Sequence, residues 1–299
     1  MNFTIAATLD DALAALAAGG RPIAGGSDLM VGHRQGKAPL PDHVVAIDRL
    51  GELAVVQQHD HGLTVGALVS HHVIEHHSVV VEHYSALADA SALVGSPSTR
   101  NVGTLGGNVM NASPAMDTGA PLLVLGAEVE LRSIAGSRRV APSELWVAPG
   151  RTSAAADELC VALHLPARAA SSGSAYVRLE YRRAMEIAVV GAASSITLHP
   201  DGSIAALRVA LTAVAPTIVE VDGLDDLLGR AMDDGVLSAI AERAGEQATP
   251  ISDLRASDRY RRHCIGVMAR RSADAAARRA GGEHIAVPVN RSIGIGAAS

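Results

Sequence analysis

The chain has 299 residues, a length that predicts two or three compact units rather than one. Its 25 Lys and Arg residues against 31 Asp and Glu residues give a net charge of −6, which argues against a partner such as nucleic acid or an anionic membrane. Aromatic residues make up 2% of the chain, so we expect any flat cofactor to be held by backbone and small side chains rather than between stacked rings.

The first part of the sequence alternates helix and strand signals. A helix is predicted to begin at Thr8 or Asp10, either of which can cap it, and to end before Gly19 and Gly20. Short strands are predicted at residues 21–24, 43–47, 50–56 and 62–66, the first two as parallel neighbours and the others as hairpin strands.

The middle of the sequence predicts helices and a polar loop, and the last third is dominated by apolar strands and long helices. One helix is predicted to begin near residue 70, and further helices are predicted at residues 84–93, 121–125, 233–245 and 257–280. Strands are predicted at residues 128–132, 188–198 and 204–214, with a hairpin turn at 199–202, a polar loop at 95–113, a linker at 168–173 and a loose chain beyond Gly281.

Two glycine-rich loops carry the main functional signal. One comprises residues 24–29 and directly follows a predicted strand, and the other comprises residues 101–108 and is followed by a polar stretch at 111–117. Paired glycines let the backbone turn sharply and expose consecutive N–H donors, a surface that suits a pyrophosphate without any lysine. The alternative for each loop taken alone is a tight turn with no ligand. Neither loop has the spacing of a Rossmann or P-loop fingerprint.

The same residues resemble a known family. The stretches AGGSDLMV (24–31), VGSPSTRNVGTLGGN (94–108) and ASPAMD (112–117) are similar to the FAD-binding medium subunit of molybdenum hydroxylases, a group that includes xanthine, carbon monoxide and N-heterocycle dehydrogenases. The stretch RRAMEIAVV (182–190) resembles the opening of the C-terminal domain in that family, and YRRH (260–263) resembles its final helix. The likeness covers nearly the whole chain in order.

The resemblance implies an α+β fold in which two N-terminal subdomains enclose FAD and a C-terminal domain closes over it. On that basis we predict a small α/β subdomain at residues 1–54 and a larger mixed subdomain at residues 55–170. An α+β C-terminal domain with an antiparallel sheet and helices is predicted at residues 171–285, followed by a tail at residues 286–299.

The resemblance also implies which residues hold FAD, and it implies no catalytic or metal-binding residue. The two loops would embrace the pyrophosphate and ribityl chain through backbone N–H groups, Asp117 matches a carboxylate that contacts the cofactor, and Cys160 matches a position that lines the flavin site. The predicted cofactor-binding residues are Ile23, Ala24, Gly25, Gly26, Ser27, Asp28, Leu29, Thr104, Leu105, Gly106, Gly107, Asn108, Asp117, Cys160 and Arg178.

The resemblance leaves open the roles of three arginines and a glutamate near these positions. Arg178 stands where many relatives have Lys, and the two side chains differ in reach and stacking. Arg183 and Glu186 stand where relatives have a mobile loop beside the flavin ring, so gating is one hypothesis for them. Arg100 either positions the second glycine-rich loop or contacts a phosphate.

The implied function is electron transfer within a larger enzyme. Electrons would pass from iron–sulfur clusters through FAD to NAD⁺, a quinone or another acceptor. The chain's two isolated cysteines, Cys160 and Cys264, cannot ligate a cluster, so [2Fe-2S] clusters and a molybdenum–pterin cofactor are expected in a small and a large partner subunit. The resemblance implies a dimer of heterotrimers, and the Ser27-Asp28 pair favours the xanthine or N-heterocycle type over the carbon monoxide type.

Two alternatives remain open, a free-standing flavin oxidoreductase with its own substrate and a scaffold subunit that has lost FAD. The intact Gly-Gly loops favour retention of FAD over the scaffold. The sequence offers neither a secretory signal nor an apolar run near the ~18 residues of a membrane span, so a cytoplasmic location is expected.

Two further patterns are interpreted as structural. Residues 72–76 fit H-x-x-E-H, the inverted zinc-protease motif, and Glu128 or Glu130 would be candidates for a third ligand. Because the stretch lies in a His-rich region, we predict an ordinary helix there and no metal. Four arginine pairs are predicted to lie on solvated helix faces, the alternative being an interface for a partner or nucleic acid; they are at residues 182–183, 261–262, 270–271 and 278–279.

Overall fold

The first subdomain is a three-stranded parallel sheet with two helices. The structure is a computed structural model that describes residues 2–36 and 39–294. The elements of this subdomain are β1 (Asn2–Ile5), α1 (Leu9–Ala17), β2 (Arg21–Ile23), α2 (Ser27–Arg34) and β3 (His43–Ala46). The strand order is β1-β3-β2, with both outer strands parallel to β3, so the predicted parallel pair of β2 and β3 is confirmed. Thr8 rather than Asp10 caps α1, because its hydroxyl accepts from the Asp11 amide while the Asp11 carboxylate accepts from the Thr8 amide.

The second subdomain is a five-stranded antiparallel sheet covered by short helices. The sheet order is β4-β5-β10-β6-β7, and a separate hairpin pairs β8 with β9. The elements are β4 (Val56–His59), β5 (Gly62–Gly66), α3 (His71–His76), α4 (Ser78–His83), α5 (Ser85–Leu93), α6 (Pro97–Val102), α7 (Leu105–Asn111), α8 (Gly119–Val124), β6 (Glu128–Ser133), β7 (Gly136–Val140), α9 (Pro142–Leu145), β8 (Trp146–Ala148), β9 (Arg151–Thr152) and β10 (Leu159–Pro166).

Two predictions for this subdomain are wrong. The expected polar loop at 95–113 contains α6 and α7, because Ser96 and Thr104 each cap a helix by accepting from an amide three residues later. The expected strand at 50–56 is a 3₁₀ turn at Gly51–Leu53, and pairing begins only at Val56.

The C-terminal domain is a four-stranded antiparallel sheet with helices packed against it. Its elements are β11 (Ser172–Leu179), β12 (Val190–Leu198), β13 (Ile204–Thr212), β14 (Val219–Glu220), α10 (Asp234–Gln247), α11 (Asp258–Ala280) and α12 (Val289–Ser292). The strands follow in sequence order, and β12 pairs with β13 through the predicted hairpin turn. Asp233 and Ser257 cap α10 and α11, which confirms the two predicted helices. No helix in the described ranges is both long enough and apolar enough to cross a membrane.

The chain beyond Gly281 is packed rather than loose as far as residue 294. Val289 and Asn290 are fully buried, and the Asn290 side chain bonds both the N–H and the carbonyl of Arg178 at 3.0 and 2.9 Å. The expectation of a loose segment is therefore wrong for this part of the predicted tail, and residues 295–299 lie outside the described residues.

The prediction of solvated faces for the paired arginines is wrong for Arg261 and Arg279. Arg261 is 3% exposed and donates to the carbonyls of Val189 and Ala213. The guanidinium of Arg279 donates to the buried carboxylate of Asp89, which belongs to the second subdomain. These two arginines join elements far apart in sequence, whereas Arg270 and Arg278 lie at the surface.

Candidate functional site

The two glycine-rich loops lie against each other where the first and second subdomains meet. A Cβ atom built on Gly25 would lie 1.7 Å from the carbonyl oxygen of Val102 and 3.2 Å from the amide nitrogen of Gly103. Real Cβ atoms essentially never come within 3.0 Å of such atoms, so only glycine allows the backbone at position 25 to approach this closely. The sequence-predicted residues of the two loops are therefore brought together at one place.

The first loop offers a row of free backbone donors. Gly26 has a φ of 68° and turns the chain into α2, whose first amides have no acceptor in a preceding helical turn. The amides of residues 25–29 donate to no acceptor in the described part of the chain, whereas the Met30 amide donates to Gly26 O at 3.0 Å. Burial raises the pKa of Asp28, which lies in the same turn. Free N–H groups at the start of a helix attract anions, so this loop carries the expected donors, and binding of a cofactor by them stays a prediction.

The second loop differs, because its amides are already used within the protein. The expectation of consecutive free N–H donors is wrong here, since α7 begins at Leu105 and Thr104 caps it. Gly106 fits only as glycine, because its Cβ would lie 2.6 Å from that of Ala67. The exposed Gly107 leaves open surface above the loop. The bonds are Leu105 N to Val69 O at 3.0 Å, Gly106 N to Ala67 O at 2.9 Å, Gly107 N to Thr104 Oγ1 at 3.1 Å and Asn108 N to Thr104 O at 3.0 Å.

Asp117 and Arg178 form a buried ion pair between the second subdomain and the C-terminal domain. Arg178 Nη1 donates to Asp117 Oδ2 at 2.7 Å, and its Nε and Nη2 donate to Glu180 Oε2 at 2.9 and 2.8 Å. The Tyr176 hydroxyl donates to Asp117 Oδ1 at 2.7 Å. Burial alone would lower the pKa of Arg178, but Asp117, Tyr176 and Glu180 together raise it.

Both carboxylate oxygens of Asp117 are thus bonded within the protein, and Arg178 is fully buried. This arrangement fixes the loop before α8 against β11, so these two residues position the site rather than present a free polar group to it. Direct contact of either with a cofactor stays a prediction. Tyr176 and Glu180 are absent from the predicted set, although the period-two spacing of a strand places both on the same face as Arg178.

The segment that follows β11 reaches back to the loop before α6. The Met185 amide donates to Gly95 O at 2.8 Å, and Arg178 Nη1 lies 3.4 Å from Glu186 O. Met185 has a φ of 53°, and Arg182 Nε lies 3.6 Å from Glu186 Oε2. The structure therefore places Glu186, with the neighbouring Arg183, in a segment that bridges the C-terminal domain and the second subdomain. Gating by this segment stays a prediction.

The Arg100 side chain is held by hydrogen bonds within the protein, so it positions neighbouring elements rather than offering a free site for an anion. Its Nε donates to Glu75 Oε1 at 3.0 Å and its Nη1 donates to Val94 O at 3.2 Å. These bonds tie α6 to α3 and to the preceding loop. Of the two roles weighed for Arg100, they support the positioning one.

The H-x-x-E-H motif lies on α3, and its three side chains come together at the surface. Ligand atoms of His72, Glu75 and His76 lie within 4.8 Å of one another, a grouping that could hold a metal ion. The Glu75 carboxylate already pairs with the Arg100 guanidinium, and this positive charge would repel a metal cation at the same carboxylate. Neither of the other candidate ligands joins the group, since Glu128 and Glu130 lie on β6, where Glu130 bonds Arg132 and His164.

Cys160 lies in the apolar core of the second subdomain rather than on an open surface. Its side chain is 4% exposed and belongs to the same buried cluster as Leu131 and Leu163. Burial, with a smaller contribution from Glu130, raises the pKa of the Cys160 thiol to about 12. The structure therefore places this side chain inside the core, in the same buried cluster as Leu105 of the second loop, and its contact with a cofactor stays a prediction.

The thiol of Cys160 should be unreactive in the folded protein. A Cys264→Ala variant leaves Cys160 as the sole cysteine of the chain. At about pH 8 we expect negligible reaction with a disulfide reagent, because only the thiolate is nucleophilic and this thiol is both neutral and buried. Full reaction should appear in guanidinium chloride. The reaction is monitored by the absorbance of the released reagent, and fast labelling of the folded protein would show that Cys160 is accessible.

Comparison with protein families matches both halves of the chain. Residues 1–168 match the FAD binding domain in molybdopterin dehydrogenase, and residues 175–276 match the CO dehydrogenase flavoprotein C-terminal domain. The first match alone covers more than half of the 299 residues.

Individual relatives are similar over nearly their full length. The xanthine dehydrogenase FAD-binding subunit of Escherichia coli O157:H7 is 31% identical over 285 residues, covering 93% of this chain and 96% of the relative. The carbon monoxide dehydrogenase medium chain of Afipia carboxidovorans is 29% identical over 261 residues, covering 87% and 90%. Among solved structures, quinoline 2-oxidoreductase from Pseudomonas putida 86 has a chain that superposes with a TM-score of 0.87 at 27% identity, covering 94% of this chain and 98% of that one.

Proposed function

This chain belongs to the family of FAD-binding medium subunits of molybdenum hydroxylases, and on that premise we propose that it binds FAD between its two glycine-rich loops. It then serves as the electron-transfer subunit of a molybdenum-containing dehydrogenase. The observation that carries the proposal is the row of unpaired amides at residues 25–29, held against the second loop by the close approach of Gly25 to Val102.

The residues present fit the negatively charged diphosphate of FAD. Backbone N–H groups suit the diphosphate, and they need no lysine, which agrees with the absence of lysine from residues 23–36. Gly107 is exposed on the second loop, and the half-buried Asn108 adds a polar side chain beside it. The segment at 181–187 contacts the loop before α6 through the hydrogen bond from the Met185 amide to Gly95 O.

When bound, FAD supplies a carrier that accepts and releases two electrons singly or as a pair. The chain's own residues bind and orient it. The first loop holds the diphosphate through its amides, and the second loop fixes the position of the first. The buried pair of Asp117 and Arg178 holds the C-terminal domain against the second subdomain, so that the cleft keeps its shape.

The wider assembly is also part of the proposal. Relatives are described as medium chains or FAD-binding subunits of dehydrogenases, which supports a small iron–sulfur partner and a large molybdopterin partner. Cys160 and Cys264 are both buried and lie in different core clusters, so the described residues hold no cysteine group for a cluster. We propose a dimer of heterotrimers, with NAD⁺ or a quinone as electron acceptor.

The xanthine or N-heterocycle type is favoured over the carbon monoxide type. Two observations support this preference, the Ser27-Asp28 pair in the first loop and the 31% identity to a xanthine dehydrogenase subunit. The carbon monoxide dehydrogenase relative has a similar identity of 29%, so the preference is small.

Purified protein should be yellow and should bind FAD stoichiometrically. We expect the flavin absorption bands after reconstitution, with quenching of FAD fluorescence giving the dissociation constant. Protein that stays colourless after reconstitution would support the scaffold alternative instead. Purification from the native host with two further chains, one carrying clusters and one molybdopterin, would separate the subunit from a free-standing flavin oxidoreductase.

A further inference from the structure

His71 is a buried histidine that lies beneath the junction of the two glycine-rich loops. His71 is 1% exposed, and its Nδ1 atom is buried with no hydrogen-bond partner among the described residues. Its backbone amide donates to Gly103 O at 3.1 Å, which anchors it to the second loop. Buried N–H groups are nearly always paired, so the unpaired Nδ1 bears on which ring nitrogen carries the proton.

One edge of the imidazole faces the place where the loops meet. A Cβ built on Gly103 would lie 3.5 Å from His71 Cδ2 and 3.7 Å from Ser27 Oγ, so the ring and the hydroxyl flank the same small space. In the imidazole ring Nε2 is bonded to Cδ2, whereas Nδ1 lies across the ring from that edge. The edge formed by Cδ2 and Nε2 is therefore the one nearer Gly103.

The ring is neutral and its proton is fixed on that edge. Burial, reinforced by the charge of Arg100, lowers the pKa of His71 to about 4, so a single N–H remains at neutral pH. Nδ1 has no partner among the described residues, and a buried N–H without an acceptor is rarely tolerated, so this environment favours the proton on Nε2. The side chain thus presents a donor, and it adds this donor to the free amides of the first loop.

We propose that His71 is a further FAD-binding residue, whose Nε2–H donates a hydrogen bond to a diphosphate oxygen held by the loop at residues 24–29. This inference rests on the proposed function. It assigns a ligand-binding role to a residue outside both glycine-rich loops, through the side chain of α3 rather than through backbone. A neutral donor suits this place, because a protonated, positively charged imidazole would be repelled by the nearby Arg100 guanidinium.

The test uses three variants of the full chain and two measurements. The His71→Leu variant loses the donor and nearly keeps the side-chain volume. In His71→Gln, the amide nitrogen takes the place of Nε2. In His71→Asn, the side chain is shorter and its amide takes the place of Nδ1 instead. We expect FAD to bind about 10- to 100-fold more weakly to His71→Leu and His71→Asn, as for loss of a hydrogen bond to a charged group, and within about 3-fold of wild type to His71→Gln. The phosphorus NMR shifts of bound FAD should change in the first two variants and be restored in His71→Gln.

The outcomes separate this inference from the proposed function. If wild-type protein binds no FAD, the proposed function fails. If His71→Leu binds FAD as wild type does, or if all three variants weaken binding equally with unchanged phosphorus shifts, His71 is a packing residue and the inference is overturned. Should His71→Leu fail to fold, as judged by circular dichroism, the contrast between His71→Gln and His71→Asn decides the same question.

Discussion

Replacing Asp89 with alanine should lower the free energy of unfolding by about 3–5 kcal/mol, the usual cost of leaving a buried charge without its partner. Asp89 is fully buried on α5, and its carboxylate accepts from Arg279 Nη1 at 2.6 Å and Nη2 at 3.1 Å. It also accepts from the amides of Tyr176 at 3.2 Å and Val289 at 2.9 Å. One side chain therefore joins the second subdomain to β11, to α11 and to the C-terminal segment.

Urea denaturation followed by circular dichroism would measure this loss. The pair of Arg270 and Asp234 is a suitable control, because its side chains are 38% and 92% exposed and Asp234→Ala should leave the urea midpoint unchanged. An Asp89→Ala, Arg279→Met double variant should recover part of the stability, since it removes the unpaired cation. A loss below about 1 kcal/mol in Asp89→Ala would mean that water reaches the pair and that the pair does not hold the domains together.

Much of the fold follows from local signals that act over a few residues. The capping box at Thr8 and Asp11 starts α1, and Ser257 starts α11. The turn at 199–202 lies between two apolar stretches of equal length, which fixes the hairpin of β12 and β13. In each case the residues that decide the structure are neighbours in sequence, so the prediction and the structure agree.

The helices α6 and α7 show where composition misleads. Their Ser, Thr, Asn and Gly content is typical of a loop, and each helix has only six or seven residues. Ser96 caps α6 and Thr104 caps α7, and α7 also buries Leu105 and Val109 in the core. The hydroxyl caps were visible in the sequence, but the burial depends on strands far along the chain.

The candidate site was predictable in place but not in detail. The glycine pairs located both loops, yet which amides are free depends on acceptors elsewhere, such as Ala67 and Val69 for the second loop. In the same way Arg279 meets Asp89 across 190 residues, a pairing that no local pattern encodes. Long-range acceptors therefore decide which loop keeps free amides and which one uses its amides within the protein.

Replacing Gly25 with alanine should abolish FAD retention during gel filtration and weaken FAD binding by more than about 100-fold. The added Cβ would lie 1.7 Å from Val102 O, an approach that no side-chain rotamer relieves, so the two loops must separate and the amides of the first loop move away from the second.

Gly32 in α2 is the matched control, because a Cβ there meets nothing within 4 Å. Gly32→Ala should keep wild-type FAD affinity and stabilise the helix by roughly 0.5–1 kcal/mol, as alanine does in a helix interior. A folded Gly25→Ala protein with unchanged FAD affinity, measured by fluorescence quenching, would show that contact between the loops is not what holds the diphosphate.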